Sequence, residues 1–235
     1  VVTDYRYQWA GITDAPKTYM VSMYGPHKSQ PMGWGGYIFN DKAGPTVRTG
    51  IYGSYAYNMQ IQGDLRVSAG IFLGLVQYKF DLSAIKFGNN AYDLQDPVLL
   101  ENGDLFKKVV PDASFGVYVY SSQYYGGISM NQLLSNKITL TDTVTVDKAI
   151  SKLKNHIYLH GGYKLNINRD FDFEVSGLLK VMTQVPPQLD ISPRVIWQKI
   201  VWGGLSFRTG DAFSILLGYN YNNMIAIGFS YDLTV

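Results

Sequence analysis

Residues Gly33 to Asp81 read GWGGYIFNDKAGPTVRTGIYGSYAYNMQIQGDLRVSAGIFLGLVQYKFD, and this stretch decides the fold. Residues of one parity are apolar over long runs of it, whereas residues of the other parity are polar or small. Such a period of two is typical of a β-strand, because successive side chains point to opposite faces of the pleat. The stretch therefore predicts three successive strands, each with an apolar and a polar face.

The same alternation returns later in the chain, at residues 156–167 and 171–181. The apolar parity holds Leu73 in the first stretch, Leu159 in the second and Phe173 in the third. A soluble β-sandwich would bury this parity as its core, whereas an outer-membrane barrel would turn it towards lipid and the polar parity towards a lumen. The alternation alone leaves both folds open.

Composition favours the barrel. Charged residues are 16% of the chain, below the usual quarter, and there are 19 tyrosines and 24 glycines, as suits a lipid-facing surface with aromatic girdles. A net charge of +2 without a basic run argues against a nucleic-acid partner. The absence of cysteine excludes disulfides, thiolate nucleophiles and cysteine zinc sites. The apolar runs are far shorter than the roughly 20 residues of a spanning helix.

The connections between the predicted strands differ in length. Those near Gly63, Ser122, Asn168 and Gln198 are short, and they alternate along the chain with two long loops near 82–111 and 132–155. This asymmetry is expected of a barrel whose short turns face the periplasm. Within the second loop, residues 147–155 have a weakly helical pattern.

The sequence therefore predicts an all-β fold, a transmembrane antiparallel up-and-down β-barrel that forms one outer-membrane domain over residues 1–235. About 13 strands are counted, and because bacterial single-chain barrels have even strand numbers, we expect about 14 in all. The last strand, and a piece before Val1, are expected to lie outside this chain.

Several charged and histidine side chains share the parity that would face the lumen. We expect them to form a polar network that consists of Arg48, Arg66, His156, His160, Lys164, Asp172 and Glu174. Asp172 and Glu174 are two residues apart, a spacing that also suits acid/base chemistry. The cations on the same parity favour a neutralising network instead. No serine lies in a nucleophile elbow, so no enzyme is predicted.

No metal or cofactor site is predicted. His156 and His160 are four residues apart on one strand, hence about 13 Å apart at about 3.3 Å per residue, which is too far to share a metal. The segment around Asp93, Asp96 and Pro97 is rich in oxygen ligands that suit calcium, but its spacing matches no EF-hand. We expect that loop to be a contact surface for a partner protein.

A series of segments carries a family resemblance. They include YRYQWAGI (5–12), DAPKT (14–18), GWGGYIFNDKAGP (33–45), LRVSAGIFLGLVQY (65–78), DLQDP (93–97), PDASFGVYVYS (111–121), HIYLHGGYKL (156–165), VWGGLSFRTGDA (201–212) and IGFSYDLTV (227–235). In order and spacing they resemble the PorP/SprF family of outer-membrane barrels in the type IX secretion and gliding machinery. The leading Asn-Pro-Ala-Tyr-Ala-Gly segment and the last strand of the family pattern are absent.

The resemblance implies a bacterial outer-membrane protein that contacts membrane lipid. It also implies a protein partner, either periplasmic lipoproteins of the machinery or a secreted adhesin. We expect a non-enzymatic component that anchors such a partner or assists its export and surface attachment, with no cofactor, nucleic acid or small-molecule substrate. The alternative is a channel for a small or hydrophobic solute. Bulky side chains on the lumen parity disfavour an open channel: Tyr52, Phe72, Tyr78, Tyr118, Tyr120 and Tyr158.

Overall fold

The computed structural model of the protein describes residues 1–81, 105–135, 137–139, 149–222 and 224–234. Within them, fifteen strands are found: β1 (Val2–Tyr7), β2 (Lys17–Pro26), β3 (Met32–Ala43), β4 (Thr46–Gln62), β5 (Leu65–Asp81), β6 (Leu105–Tyr120), β7 (Tyr124–Asn131), β8 (Lys137–Thr139), β9 (Ala149–Lys152), β10 (His156–Asn166), β11 (Phe171–Met182), β12 (Val185–Trp197), β13 (Val201–Arg208), β14 (Ala212–Tyr221) and β15 (Ile225–Thr234). Among the described residues, no helix is long and apolar enough to cross a membrane.

Thirteen of the strands form one sheet whose spatial order follows the chain, from β1 to β7 and then from β10 to β15. The strands β8 and β9 form a separate two-stranded sheet. The predicted fold class is therefore confirmed: the protein is all-β, antiparallel and up-and-down, and thirteen strands lie in the main sheet. This is the strand order of an up-and-down barrel. In the described residues the sheet ends at β1 and β15, which are not paired with each other.

The strands group into two compact units. The first unit consists of Val1–Tyr57, Gly70–Phe115 and Gln132–Lys154, and the second consists of Asn58–Ala69, Gly116–Asn131 and Asn155–Val235. The strands β4, β5 and β6 contribute residues to both.

The apolar face of the strands is the exposed one. Leu73 is 59% exposed and Leu159 is 42% exposed, whereas Phe173 is half-buried. On the opposite parity, Tyr52 and Glu174 are buried. The core of a soluble sandwich would have covered the leucines, so the exposure pattern supports the orientation expected of a barrel, with apolar side chains outward.

The four short connections that the sequence predicted share one end of the strands, which is called the short-turn end below. The turns at 63–64, 121–123, 167–170 and 198–200 each follow an even-placed strand of the main sheet, so all four lie at the same end, as predicted. The turns at 44–45, 183–184 and 209–211 are equally short and lie at the other end. Short turns therefore occur at both ends, and the two long connections occur at only one.

One predicted boundary was wrong, because the strand β6 begins at Leu105, inside the predicted loop 82–111. This strand contains Pro111 in its interior, and β12 contains prolines at residues 186–187, next to its start at Val185. Proline cannot donate a ladder hydrogen bond and argues against a strand in a sequence.

The predicted helical pattern at 147–155 was also wrong. Residues Ala149–Lys152 form β9 and pair with Lys137–Thr139. Intrinsic helix propensity is a weak prior that pairing with a neighbouring segment overrides. Within the two predicted loops, residues 82–104, 136 and 140–148 lie outside the described residues.

Candidate functional site

An aromatic cluster fills the polar face of the first unit. Tyr52 is buried against Val76 and Val110, and its ring stacks on Tyr37 with 4.6 Å between centroids. The Tyr52 hydroxyl donates a hydrogen bond of 2.7 Å to Asp112 Oδ2. The other members that pack on this core are Phe39, Phe72, Tyr78 and Leu153. Aromatic packing with one satisfied carboxylate therefore occupies this face.

An ion pair and a hydrogen bond to the same carboxylate join three strands of the first unit. Arg48 on β4 pairs with Asp41 on β3, and the Thr18 hydroxyl on β2 donates a 2.8 Å hydrogen bond to Asp41 Oδ1. The two-residue turn at 44–45 sets this register, because it places Asp41 directly opposite Arg48. Opposite charges in such a cross-strand pair stabilise the sheet.

The second unit contains a buried carboxylate network, here called the Glu174 network, of Tyr125, Glu174, Arg194 and Trp202. Glu174 is 2% exposed. Its Oε1 accepts a hydrogen bond of 3.0 Å from the Tyr125 hydroxyl, and its Oε2 accepts one of 2.8 Å from Arg194 Nη2. The Arg194 guanidinium carbon lies 5.4 Å from the centre of the Trp202 ring. The carboxylate is thus paired with a cation that an aromatic ring also holds.

Arg194 is not fully satisfied. Its Nε is buried and donates to no acceptor among the described residues. The guanidinium is therefore held by its charge pair and by stacking on Trp202 rather than by a complete set of hydrogen bonds.

A glycine makes room for this network. A Cβ built on Gly162 would lie 2.5 Å from the Tyr125 hydroxyl oxygen, so Tyr125 occupies the space that a side chain would need. A Cβ on Gly177 would meet nothing closer than the Asp190 backbone oxygen, at 3.7 Å. Only the first glycine is required by side-chain packing.

We expect Gly162→Ala to lower the free energy of unfolding by about 1–3 kcal/mol, because the added methyl displaces Tyr125 from Glu174. The matched change, Gly177→Ala, should alter it by less than about 1 kcal/mol. Urea unfolding in detergent micelles measures both. Equal effects of the two substitutions would contradict the packing described.

A second cluster, the Asp190 cluster, joins β11, β12 and β13. Lys180 Nζ lies 2.9 Å from Asp190 Oδ2, and Arg208 Nε lies 3.0 Å from Asp190 Oδ1. Arg208 Nη1 also lies 3.2 Å from Asp211 Oδ2 in the following turn. Asp190 is 8% exposed, so its charge is shielded from water by two cations.

Between these two charged groups lies a row of small hydroxyl side chains, the serine row. It consists of Ser176, Ser192, Ser206 and Ser214 on β11 to β14. Ser176 is directly opposite Ser192, and Ser206 is directly opposite Ser214. The Ser192 and Ser206 hydroxyl oxygens are 2.7 Å apart and share a hydrogen bond. The row thus continues across four neighbouring strands.

Hydrogen bonds tie neighbouring turns together at the short-turn end of the second unit. Asp64 Oδ2 accepts bonds from the Ser122 hydroxyl (2.6 Å) and backbone N–H (2.9 Å). Gln198 Nε2 donates a 3.1 Å bond to Asp170 Oδ1 in the same way. The Ser122 hydroxyl, together with its backbone N–H, holds the pKa of Asp64 below its usual range.

This pKa shift predicts a pH dependence. Because its folded-state pKa is lowered, ionised Asp64 stabilises the protein above its unfolded pKa of about 3.9, and the contribution is lost as pH falls through the folded-state pKa. We expect wild type to be more stable than Asp64→Asn at pH 7, and the difference to vanish under acid. Urea unfolding over a pH series tests this. Ser122→Ala should reduce the same difference, and a gap between wild type and Asp64→Asn that persists unchanged in acid would refute the assignment.

Comparison with protein-family models identifies the family of the chain. The model described as "Type IX secretion system membrane protein PorP/SprF" matches residues 1–235. The chain belongs to the PorP/SprF family. This confirms the resemblance seen in the sequence, and it makes the protein a membrane protein of type IX secretion. No curated protein matches the chain.

In this PorP/SprF protein, the predicted polar residues have different surroundings. Arg48 pairs with Asp41, and Glu174 pairs with Arg194. His160 stacks on Tyr118 with 5.3 Å between ring centroids, and His156 Nε2 lies 2.6 Å from Met182 Sδ. Three more predicted residues have side chains with no hydrogen bond or ion pair within the described part of the chain: exposed Arg66 and Lys164, and half-buried Asp172. No hydrogen bond, ion pair or ring contact among the described residues joins two of these seven side chains, and the single network stays a prediction.

The predicted contact loop at Asp93, Asp96 and Pro97 lies outside the described residues, so its role stays a prediction. Among the described residues, no group of three or more histidine, aspartate or glutamate side chains is placed to hold a metal ion.

Sequence reasoning missed most partners in the ion pairs and in the hydrogen bonds of Tyr52 and Glu174. These are Asp41, Asp112, Tyr125, Asp190, Arg194 and Arg208. One signal was available, because a two-residue turn fixes the register on both its sides and so pairs Asp41 with Arg48. For Arg194 the signal is ambiguous, since Glu174 has Lys164 opposite on one neighbouring strand and Arg194 opposite on the other.

Proposed function

We propose that this PorP/SprF protein is a non-enzymatic β-barrel of the bacterial outer membrane that forms a single domain over residues 1–235. It anchors a partner of the type IX secretion or gliding machinery, either a periplasmic lipoprotein or a secreted adhesin, or assists its export and surface attachment. One observation carries the proposal: the apolar face of the strands is exposed while the polar face is filled by aromatic packing and ion pairs. A lipid-facing wall around a filled interior suits an anchor better than an open pore.

An aromatic girdle supports the membrane assignment. At the short-turn end of the second unit, the exposed face bears Tyr124, Tyr163, Phe171, Trp197, Tyr219 and Tyr221. Tyr163 lies opposite Tyr124, and Phe171 lies opposite Trp197, so four of these rings form two cross-strand pairs near this end. Aromatic side chains concentrate where a barrel crosses the membrane–water interface. We therefore assign this end to a membrane–water interface. Its short turns are assigned to the periplasm.

The filled polar face argues against free passage of solute. In the first unit, the ring centroid of Tyr37 lies 4.6 Å from that of Tyr52 and 5.8 Å from that of Phe72. In the second unit, Tyr118 stacks on Tyr120 and on His160. Bulky rings on this parity narrow a lumen, whereas a water-filled porin needs a wet path.

Photo-crosslinking in intact cells tests the anchor role. A photoreactive amino acid at position 96, in the predicted contact loop, should yield a protein adduct in cells that express the secretion machinery. The same amino acid at position 73, on the exposed apolar face, serves as the control and should react with lipid only. The absence of any protein adduct from the loop positions 93, 96 and 97 would contradict the proposal.

The channel alternative has its own test. Purified protein in planar lipid bilayers should show conductance far below that of a porin. A stable conductance close to a porin value would overturn the anchor proposal in favour of a channel for a small or hydrophobic solute.

A further inference from the structure

Two aliphatic side chains lie on the polar face of the first unit and are buried there. Val76 on β5 is 4% exposed and Val110 on β6 is 5% exposed, whereas their neighbours on the outward parity, Leu75 and Val109, are 51% and 54% exposed. A face that only water covered would leave the two valines exposed, and exposed apolar surface is unfavourable in water. Other parts of the chain must therefore cover them.

Two aromatic rings cover part of this face by lying over glycines of a neighbouring strand. A Cβ built on Gly74 would collide with the Tyr52 ring, and a Cβ built on Gly50 would collide with the Phe39 ring. Each glycine therefore leaves the space that the ring beside it occupies. Because the rings lie against the strands, they form an apolar floor on which a further side chain can pack.

A side chain that packs on this floor comes from the connection between β7 and β10. Leu153 directly follows β9, is half-buried, and packs against the buried core of Tyr52, Val76 and Val110. The segment 149–154, which consists of β9 and the two residues after it, is here called the strap, and all of it belongs to the first unit. Because this core is on the polar face, Leu153 places the strap on that side of the sheet.

The strap is not joined to the main sheet by a strand ladder. Its strand pairs with Lys137–Thr139 in the separate two-stranded sheet. Within the described residues, the strap meets the core of the main sheet through the packing of Leu153, and the next residue, Lys154, is exposed. Segments with few buried apolar contacts are the ones that open locally while the rest of a fold stays intact.

We propose that the strap is a releasable cover of the polar face, held closed by Leu153. In the closed arrangement it keeps water from the Val76 and Val110 side chains, and its release uncovers them without unfolding the sheet. The device uses only contacts within the first unit. It rests on the proposed function in one respect, because this face lines a lumen, which the strap narrows, only if the sheet closes as a barrel.

Single thiols test the strap, because the chain has no cysteine of its own. We expect a thiol introduced by Val76→Cys to react slowly with a charged maleimide in detergent micelles, and Leu153→Ser to raise its rate at least about tenfold by releasing the strap. The matched control, Leu134→Ser, changes a leucine of the same connection that is 51% exposed, and it should leave the rate unchanged. Leu153→Met should also keep the thiol protected, because methionine restores an apolar side chain of similar volume.

A thiol in the second unit separates release of the strap from unfolding. Ser214→Cys places it on the polar parity of β14, where Ser214 is 5% exposed, and Leu153→Ser should leave it protected. The proposal is overturned if Leu153→Ser does not accelerate the reaction at position 76. Equal acceleration at positions 76 and 214 would also overturn it, because Leu153 would then stabilise the whole fold. Neither result depends on conductance, so a failure of the strap is distinguishable from a failure of the proposed function.

Discussion

Leu73→Lys should lower the free energy of unfolding in lipid vesicles by about 2–4 kcal/mol, the cost of a cation on the lipid face near the bilayer midplane. Leu73 lies in the middle of β5 and is 59% exposed. If water were the solvent of that face, a lysine there would be nearly neutral, because exposed substitutions change stability by about 0.5 kcal/mol or less. The effect therefore reports which solvent the apolar face meets.

The matched control is Ile61→Lys. Ile61 is 56% exposed on the same face but lies at the short-turn end of β4, where an interface reduces the cost to about 0–1 kcal/mol. Urea unfolding in vesicles compares the two variants. If the two variants were equally stable, the cost of the lysine would not depend on its depth in the bilayer. The membrane assignment would then fail.

The alternation in the sequence predicted the faces and the thirteen strands because a period of two persists over most of each long strand. Leu73 and Leu159 were placed on the outer side by parity alone, and their exposure agrees. The early start of β6 was missed for a physical reason. Val109 and Val110 are adjacent, one 54% exposed and the other buried, so polarity does not alternate there although burial does.

The candidate site was predicted less well, because parity says which side chains share a face but not which of them meet. Lys164 and Arg194 both lie opposite Glu174, on its two neighbouring strands. Lys164 is exposed towards the end of β10, where water solvates an ammonium group well. Arg194 lies against Trp202 and forms the ion pair with Glu174. Only the three-dimensional surroundings decide between two such cations.

The second large effect is expected at Glu174. Glu174→Ala should lower the free energy of unfolding by about 2–3 kcal/mol, because it leaves the Arg194 charge and the Tyr125 hydroxyl without their acceptor. This loss is smaller than the roughly 3–5 kcal/mol expected for breaking a fully buried pair. The Arg194 side chain is 35% exposed, so water solvates part of its charge. Urea unfolding in detergent micelles measures the loss.

Two further variants separate a buried pair from a mere charge change. Asp172→Asn removes a carboxylate from the same strand and parity. Because the Asp172 side chain has no hydrogen bond or ion pair among the described residues, this substitution should change the free energy of unfolding by less than about 0.5 kcal/mol. The double variant Glu174→Leu/Arg194→Leu removes both charges and should recover most of the loss, because replacing a whole buried pair by apolar groups is often neutral. A Glu174→Ala protein no less stable than Asp172→Asn would show that the network carries no stability. If the double variant loses more free energy of unfolding than the two single substitutions together, the two charges stabilise the protein through contacts other than their own pair.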